Sequence, residues 1–152
     1  MFKPQQNSVQ ELLQTQELQH LITVSTGFID AYIIESYQQA PMLLPQNIVL
    51  SALDSPTAVQ QVDWHDIQLP VYHIHPPIEQ GVALVIEGEE AHQRFALMCQ
   101  EMPKSIRIRI SEVVDDPQNN TDAMVQQLVR IENTLYQVPH LANIQSSLQL
   151  AP

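Results

Sequence analysis

The chain of 152 residues has one cysteine, three glycines and six basic residues, and each scarcity closes off a class of function. With Cys99 alone, no internal disulfide forms and no cysteine-based zinc site assembles, a usage that suits a reducing compartment. Cys99 ends the apolar run Phe95-Ala96-Leu97-Met98-Cys99, which has no base beside it, so it reads as a buried, inert thiol. Three glycines do not build a phosphate-cradling loop, which needs backbone left bare of side chains, and the turns are expected to use Pro, Asn, Asp and Ser. Six bases stand against seventeen acids, and the formal charge of −11 repels nucleic acid wherever no local basic stripe overcomes it. No window approaches the roughly 18 apolar residues needed to span a bilayer. Residues 1–7 have no apolar signal core behind Lys3. The expectation is a cytoplasmic protein without direct membrane insertion, nucleic-acid partner or cofactor.

What is present is apolar matter and glutamine. Hydrophobic residues make up 44% and charged residues only 15%, so the polar surface falls to Asn, Ser, Thr and the twenty-one glutamines. A chain this long buries roughly 68–70% of its unfolded surface and forms a core without staples.

Residues 9–22 space Val9, Leu12, Leu13, Leu18, Leu21 and Ile22 at helical intervals without Gly or Pro, and Ser8 with Glu11 fits a capping box. The spacing predicts one amphipathic helix, which either packs on the body or offers its leucines to a partner. After Gly27 the pattern changes to short β segments: 28–35 and 41–45 as a hairpin, then 48–53 as a strand or a short helical turn. Residues 64–72, 82–87, 94–100 and 104–110 follow as strands, and 125–131 with 135–138 as a last hairpin turning at Glu132-Asn133-Thr134. Residues 140–150, with Leu141, Ile144 and Leu148 on one face, predict a terminal helix. Eight or nine short strands with helices only at the ends point to a mostly β barrel or sandwich. The expected organisation is an N-terminal helical extension, 1–26, and a single domain, 27–152.

Candidate chemistry is thin. His73 and His75, two apart on a strand, share a face, and Glu79 follows at four, the way cupins place metal ligands. The glycines of that pattern are replaced by Ile67 and Ile86, and a second histidine motif is missing. A small metal- or ligand-binding β protein using His73, His75 and Glu79 is one alternative. No Gly-x-Ser-x-Gly elbow exists, Asp63, His65 and Asp66 lack a nucleophile, and no enzyme hypothesis gathers three roles in one place. Lys104, Arg107 and Arg109 hold half of the basic residues within six positions. They read either as a strand edge protected by charge or as a docking patch for an acidic partner. A binding module working through the Leu12-Leu13 helix is a further alternative.

The stretch Trp64-His65-Asp66-Ile67-Gln68-Leu69-Pro70-Val71-Tyr72 resembles the strand of CheW-type chemotaxis adaptors, in which a loop ending in Arg-Gly runs into an apolar strand interrupted by Pro. His65 stands at the Arg position and Asp66 at the Gly, where a different turn is expected because only Gly enters positive φ freely. Residues 29–44 are similar to the family's first strand pair, Gln46-Asn47-Ile48-Val49-Leu50-Ser51-Ala52-Leu53 to the segment after it, and 95–108 to the second-half pair. That last stretch, with its Pro-Lys-Ser turn, looks closest to the CheW-like accessory proteins of type IV pilus chemosensory systems. Leu135-Tyr136-Gln137-Val138-Pro139-His140-Leu141 resembles the last strand entering the terminal helix. The linker 54–63 is shorter than the family's and lacks its aromatic-x-x-Gly segment.

The resemblance implies a non-catalytic adaptor of two small, intertwined, SH3-like five-stranded β-barrel subdomains with a helix at each end. Its implied partners are a CheA-like histidine kinase and the cytoplasmic tip of a chemoreceptor, the latter engaged more weakly for want of the arginine. By position, Val49 and Ala52 would lie at or near the kinase-facing surface and His65 beside the receptor groove; Lys104 and Arg107 join them as expected partner contacts on the basic stretch alone, not on the resemblance.

Overall fold

The runs 82–86 and 95–99 are apolar at every position, and a strand reads this way when both of its faces are buried. The computed structural model, which describes residues 27–117 and 120–148, places both runs inside the molecule. They form β6 (Gln80–Ile86) and β7 (Phe95–Cys99), paired antiparallel with Leu84 opposite Leu97 and Ile86 opposite Phe95. Because side chains alternate, Leu84, Ile86, Phe95, Leu97 and Cys99 enter one core while Ala83, Val85, Ala96 and Met98 enter another. Each large side chain so removed from water contributes about 1.5–3 kcal/mol. Gly81 is the second residue of β6, and a Cβ there would lie 2.3 Å from the carbonyl oxygen of Cys99, so this close approach requires glycine.

Around this pair, β3 (Val49–Pro56), β4 (Gln61–Trp64) and β5 (Ile67–His73) complete a five-stranded sheet in the order β3-β6-β7-β5-β4. The remaining strands are β1 (Phe28–Ile34), β2 (Met42–Pro45), β8 (Lys104–Arg109), β9 (Val113–Asp115), β10 (Val125–Ile131) and β11 (Thr134–Pro139). They form a second sheet in the order β8-β1-β2-β11-β10-β9. From Phe28 onward the chain therefore lays down two strands of the six-stranded sheet, builds the whole five-stranded one, and returns. All neighbouring strands are antiparallel except β5 with β7 and β11 with β2. One core lies in each curled sheet, around Val129 and Ile108 in the first and Val85 and Ala96 in the second. A third joins them, where Ile34, Met42 and Leu44 meet Leu84, Ile86 and Phe95. Helix α1 (Leu141–Ser147) drops Ile144, 1% exposed, into this junction. His140 caps it, its Nδ1 accepting from the backbone N–H of Asn143 at 3.1 Å.

The expected fold class is the one observed, with instructive differences in detail. Eleven strands are present among the described residues, not eight or nine; β4 and β9 are the additions, and β9 gives the first sheet a sixth member. Residues 64–72 are not one strand. β4 ends at Trp64, His65 and Asp66 turn the chain, and β5 begins at Ile67, with Trp64 paired to Ile67. Of the two readings of 48–53, the strand is the one observed, β3 from Val49, with a 3-10 turn at Gln46–Ile48 just before it. Further 3-10 turns at Ala91–Gln93 and Ile110–Glu112 lie between strands, so helical turns are not confined to the ends. The terminal helix is shorter than expected among the described residues, and the segment 9–22 lies outside them. Among the described residues, the left-handed backbone positions other than Gly27 belong to Gln38, His65, Asp66 and Glu132, so Asp alone of the expected turn residues serves there.

Candidate docking surfaces

The residues expected to bind partners fall on the open margins of the two sheets. β3 and β4 are the outer strands of the five-stranded sheet, and β8 and β9 those of the six-stranded one. An outer strand presents unpaired N–H and C=O groups, so its side chains decide whether anything pairs with it.

β3 is the longest of these margins and the least guarded, with Asp54 its one charge in eight residues. Its odd residues turn inward: Val49 packs on the junction core and Leu53 on the core of its own sheet. Ala52 is exposed, as is Leu50 at 38%. Val49 therefore supports the surface from beneath, and Leu50 presents it. Leu50 was not singled out from sequence, although alternation with Val49 and Ala52 contains the signal.

The β4–β5 tip carries His65. His65 and Asp66 have φ of 53° and 65°, the positive pair that a two-residue type I′ hairpin demands and that Gly or Asn adopts most cheaply. Asp66 itself thus enters the left-handed region that glycine was expected to be needed for. Strand pairing from Gln61 with Pro70 through Trp64 with Ile67 holds the tip in that conformation. His65 meets the Trp64 ring edge-on, with centroids 4.4 Å apart at 74°. The guanidinium of Arg94 lies 5.4 Å from the same ring and forks onto Glu87, at 2.7 Å from Nε and 3.3 Å from Nη2. That fork holds the Glu87 carboxyl below its ordinary range, helped by the Gly88 N–H, and pushes Arg94 up. The indole N–H of Trp64 is buried without a hydrogen-bond partner. Arg94 and Glu87 are functional candidates that sequence reading missed, since they are distant in the chain from the tip they brace.

β8 turns Ile106 and Ile108 into the first core and leaves Lys104, Ser105, Arg107 and Arg109 exposed. Arg107 reaches Asp30 across the sheet at 3.3 Å, and Arg109 reaches Glu112 at 3.9 Å. Both guanidinium groups lie over the ring of Phe28, at 5.6 and 4.8 Å. The two side chains stay 65% and 57% exposed, so each keeps donors free for another acceptor. Val49 and Ala52, His65, and Lys104 with Arg107 thus occupy three different margins and form no single site.

His73, His75 and Glu79 do not converge. Nε2 of His73 donates to the carbonyl of Thr57 at 3.0 Å, whereas Nε2 of His75 donates to the carbonyl of Glu35, on the other sheet's side, at 2.6 Å. Glu79 lies in the exposed loop before β6, and no three His, Cys, Asp or Glu side chains cluster among the described residues. Neither is Cys99 poised for attack: it is 2% exposed, and burial pushes its thiol up to about 12.

No protein-family model matches the chain, and no curated protein sequence does. Solved structures do match. The crystal structure of the scaffolding protein TtCheW from Thermoanaerobacter tengcongensis superposes with a TM-score of 0.57 at 11% identity. The match covers 74% of this chain and 84% of that one, and it shows a shared fold.

Proposed function

We propose that this chain is a non-catalytic, cytoplasmic adaptor that couples the cytoplasmic tip of a chemoreceptor to a CheA-like histidine kinase, within a system that drives type IV pili and twitching motility. The fold it shares with a scaffolding protein is the observation that carries this reading. In it, residues 27–152 act as one CheW-like domain and 1–26 as an extension. The outer strand β3 supplies the kinase-facing margin, with Leu50 and Ala52 exposed and Val49 beneath them. Lys104 and Arg107 on β8 supply a second contact, a basic island on a chain of net charge −11 that meets an acidic partner surface.

His65 sits beside the receptor contact. A lone imidazole does not reproduce the planar, permanently charged fork of arginine, so receptor engagement is weaker than in adaptors that keep the guanidinium. Arginine installed at the tip restores it. The test is reconstitution with a CheA-like kinase and a receptor-tip fragment. Ala52→Arg is expected to weaken kinase binding about tenfold or more by placing an unpaired charge in the contact, with thermal stability unchanged. His65→Arg is expected to tighten receptor-tip binding. Kinase binding that ignores Ala52→Arg, or absence of kinase binding by the unmodified chain, overturns the proposal.

A further inference from the structure

A cleft of about 350 Å³ opens where the two sheets meet, between the β1–β2 connection, the end of β5 and α1. That is the size of a pocket for a small ligand. Its buried lining is mixed: Met42 and Ile144 stand beside the amide of Gln137, with Ile74 and Met124 half-buried. Its outer part holds Tyr37, 51% exposed, and the exposed Asp122, with Tyr72 and the two histidines between.

The lining selects a ligand by charge. Among the described residues the lining contains no Lys or Arg, so no permanent cation stands there to hold an anion. It offers one carboxylate, and no three ligating side chains cluster among the described residues, too few for a divalent cation that takes six or more oxygens. Nε2 of His73 and Nε2 of His75 each donate to a backbone carbonyl, of Thr57 and Glu35, so both imidazoles are already engaged at one nitrogen. Tyr37 and Tyr72 also line the cleft, and the face of a tyrosine ring attracts cations. Burial and the nearby Asp122 charge push the Tyr72 phenol up, so it stays protonated and the carboxylate's field reaches the cleft. Asp122 is itself fixed: its Oδ1 accepts from the Met124 N–H at 2.9 Å, and its N–H donates to Oδ1 of Asn120 at 3.1 Å.

We propose that this cleft binds a small organic ammonium ion, the positive head held by Asp122 and the Tyr37 and Tyr72 rings, the hydrocarbon body against Met42, Ile74 and Ile144. The site lies apart from the β3 and β4–β5 margins, and its occupancy does not depend on the adaptor reading.

The test is titration of the full chain with choline, followed by amide chemical shifts, beside its neutral carbon isostere. Saturable shifts at Tyr72, Ile74 and Met124 are expected, with the isostere binding at least about tenfold more weakly. Asp122→Asn keeps the Oδ1 that closes the turn and removes the charge, so it is expected to weaken choline about tenfold while the fold is retained. Tyr37→Ala, at an exposed ring, weakens it as well. Three outcomes overturn the proposal: no saturable response, equal binding of choline by Asp122→Asn, or an equal loss from Glu89→Gln with Glu101→Gln, which marks general attraction to an acidic surface.

Discussion

β7 and β8 are consecutive in the chain, joined by residues 100–103, and they differ in almost every physical respect. β7 is buried at all five positions and packs on two cores. β8 is exposed at four of six, carries three cations and ends a sheet. The same extended backbone serves opposite purposes: one strand supplies cohesion, and the other keeps a margin soluble and open to selective contact. Substitutions in β7 are therefore expected to act on stability, and those at the margins on binding.

The largest effect separates the two most sharply. Phe95→Ala, in the junction core, is expected to cost about 3–5 kcal/mol in urea unfolding, because the hole it leaves is walled by both sheets. A loss below about 1 kcal/mol would mean that the junction is loosely packed and that β7 is no more structural than β8.

Next is the alkaline limb of stability. Burial raises the Cys99 thiol from an ordinary value near 9 to about 12. The unfolded chain gives up this proton first, so above pH 9 the folded state binds more protons. The contribution is whole below that pH and is lost as pH rises toward about 12, by up to about 1.4 kcal/mol per unit. Unfolding midpoints followed through this window should fall more steeply for the natural chain than for Cys99→Ala. Tyr72, raised by burial and Asp122, slopes the same way in both.

At the tip, Asp66→Gly is expected to stabilise by about 1 kcal/mol, since glycine takes φ near 65° without the side-chain clash. A decrease in melting temperature would show that Asp66 makes a contact worth more than its backbone strain. Smallest is Arg107→Ala on β8. Its pair with Asp30 is open to solvent on both sides, so unfolding should change by less than about 1 kcal/mol. If it matched Phe95→Ala, the contrast between the two strands would fail.

Much of this was readable beforehand, and the reasons differ by element. β6 and β7 are legible because five consecutive apolar residues between turns satisfy no other fold element of that length. β8 is legible from Ile106 and Ile108 alternating with Arg107 and Arg109. β4 is not, because Gln61 and Asp63 are as polar as a loop and only Val62 and Trp64 report a face. The His65-Asp66 turn was hidden because neither residue favours left-handed backbone, and the pairing of β4 with β5 imposes it. Val49, Ala52, Lys104 and Arg107 were legible as exposed or half-buried strand positions, whereas His65, expected within a strand, lies in a turn. Their distribution over three margins was not, nor was the bracing of the tip by Arg94 and Glu87.

By itself, the sequence settles the terms: a single thiol, almost no glycine, strong negative charge and runs apolar on both faces compel a β-rich body without disulfides or phosphate loops. Tertiary structure alone decides which strands become neighbours, including the parallel β5–β7 and β11–β2 pairs inside the two sheets, and it sends the two histidines to different carbonyls. The physical reason is that alternation reports which way a side chain faces, a local property. Adjacency in a sheet depends on contacts between segments far apart in the chain, which no local pattern encodes.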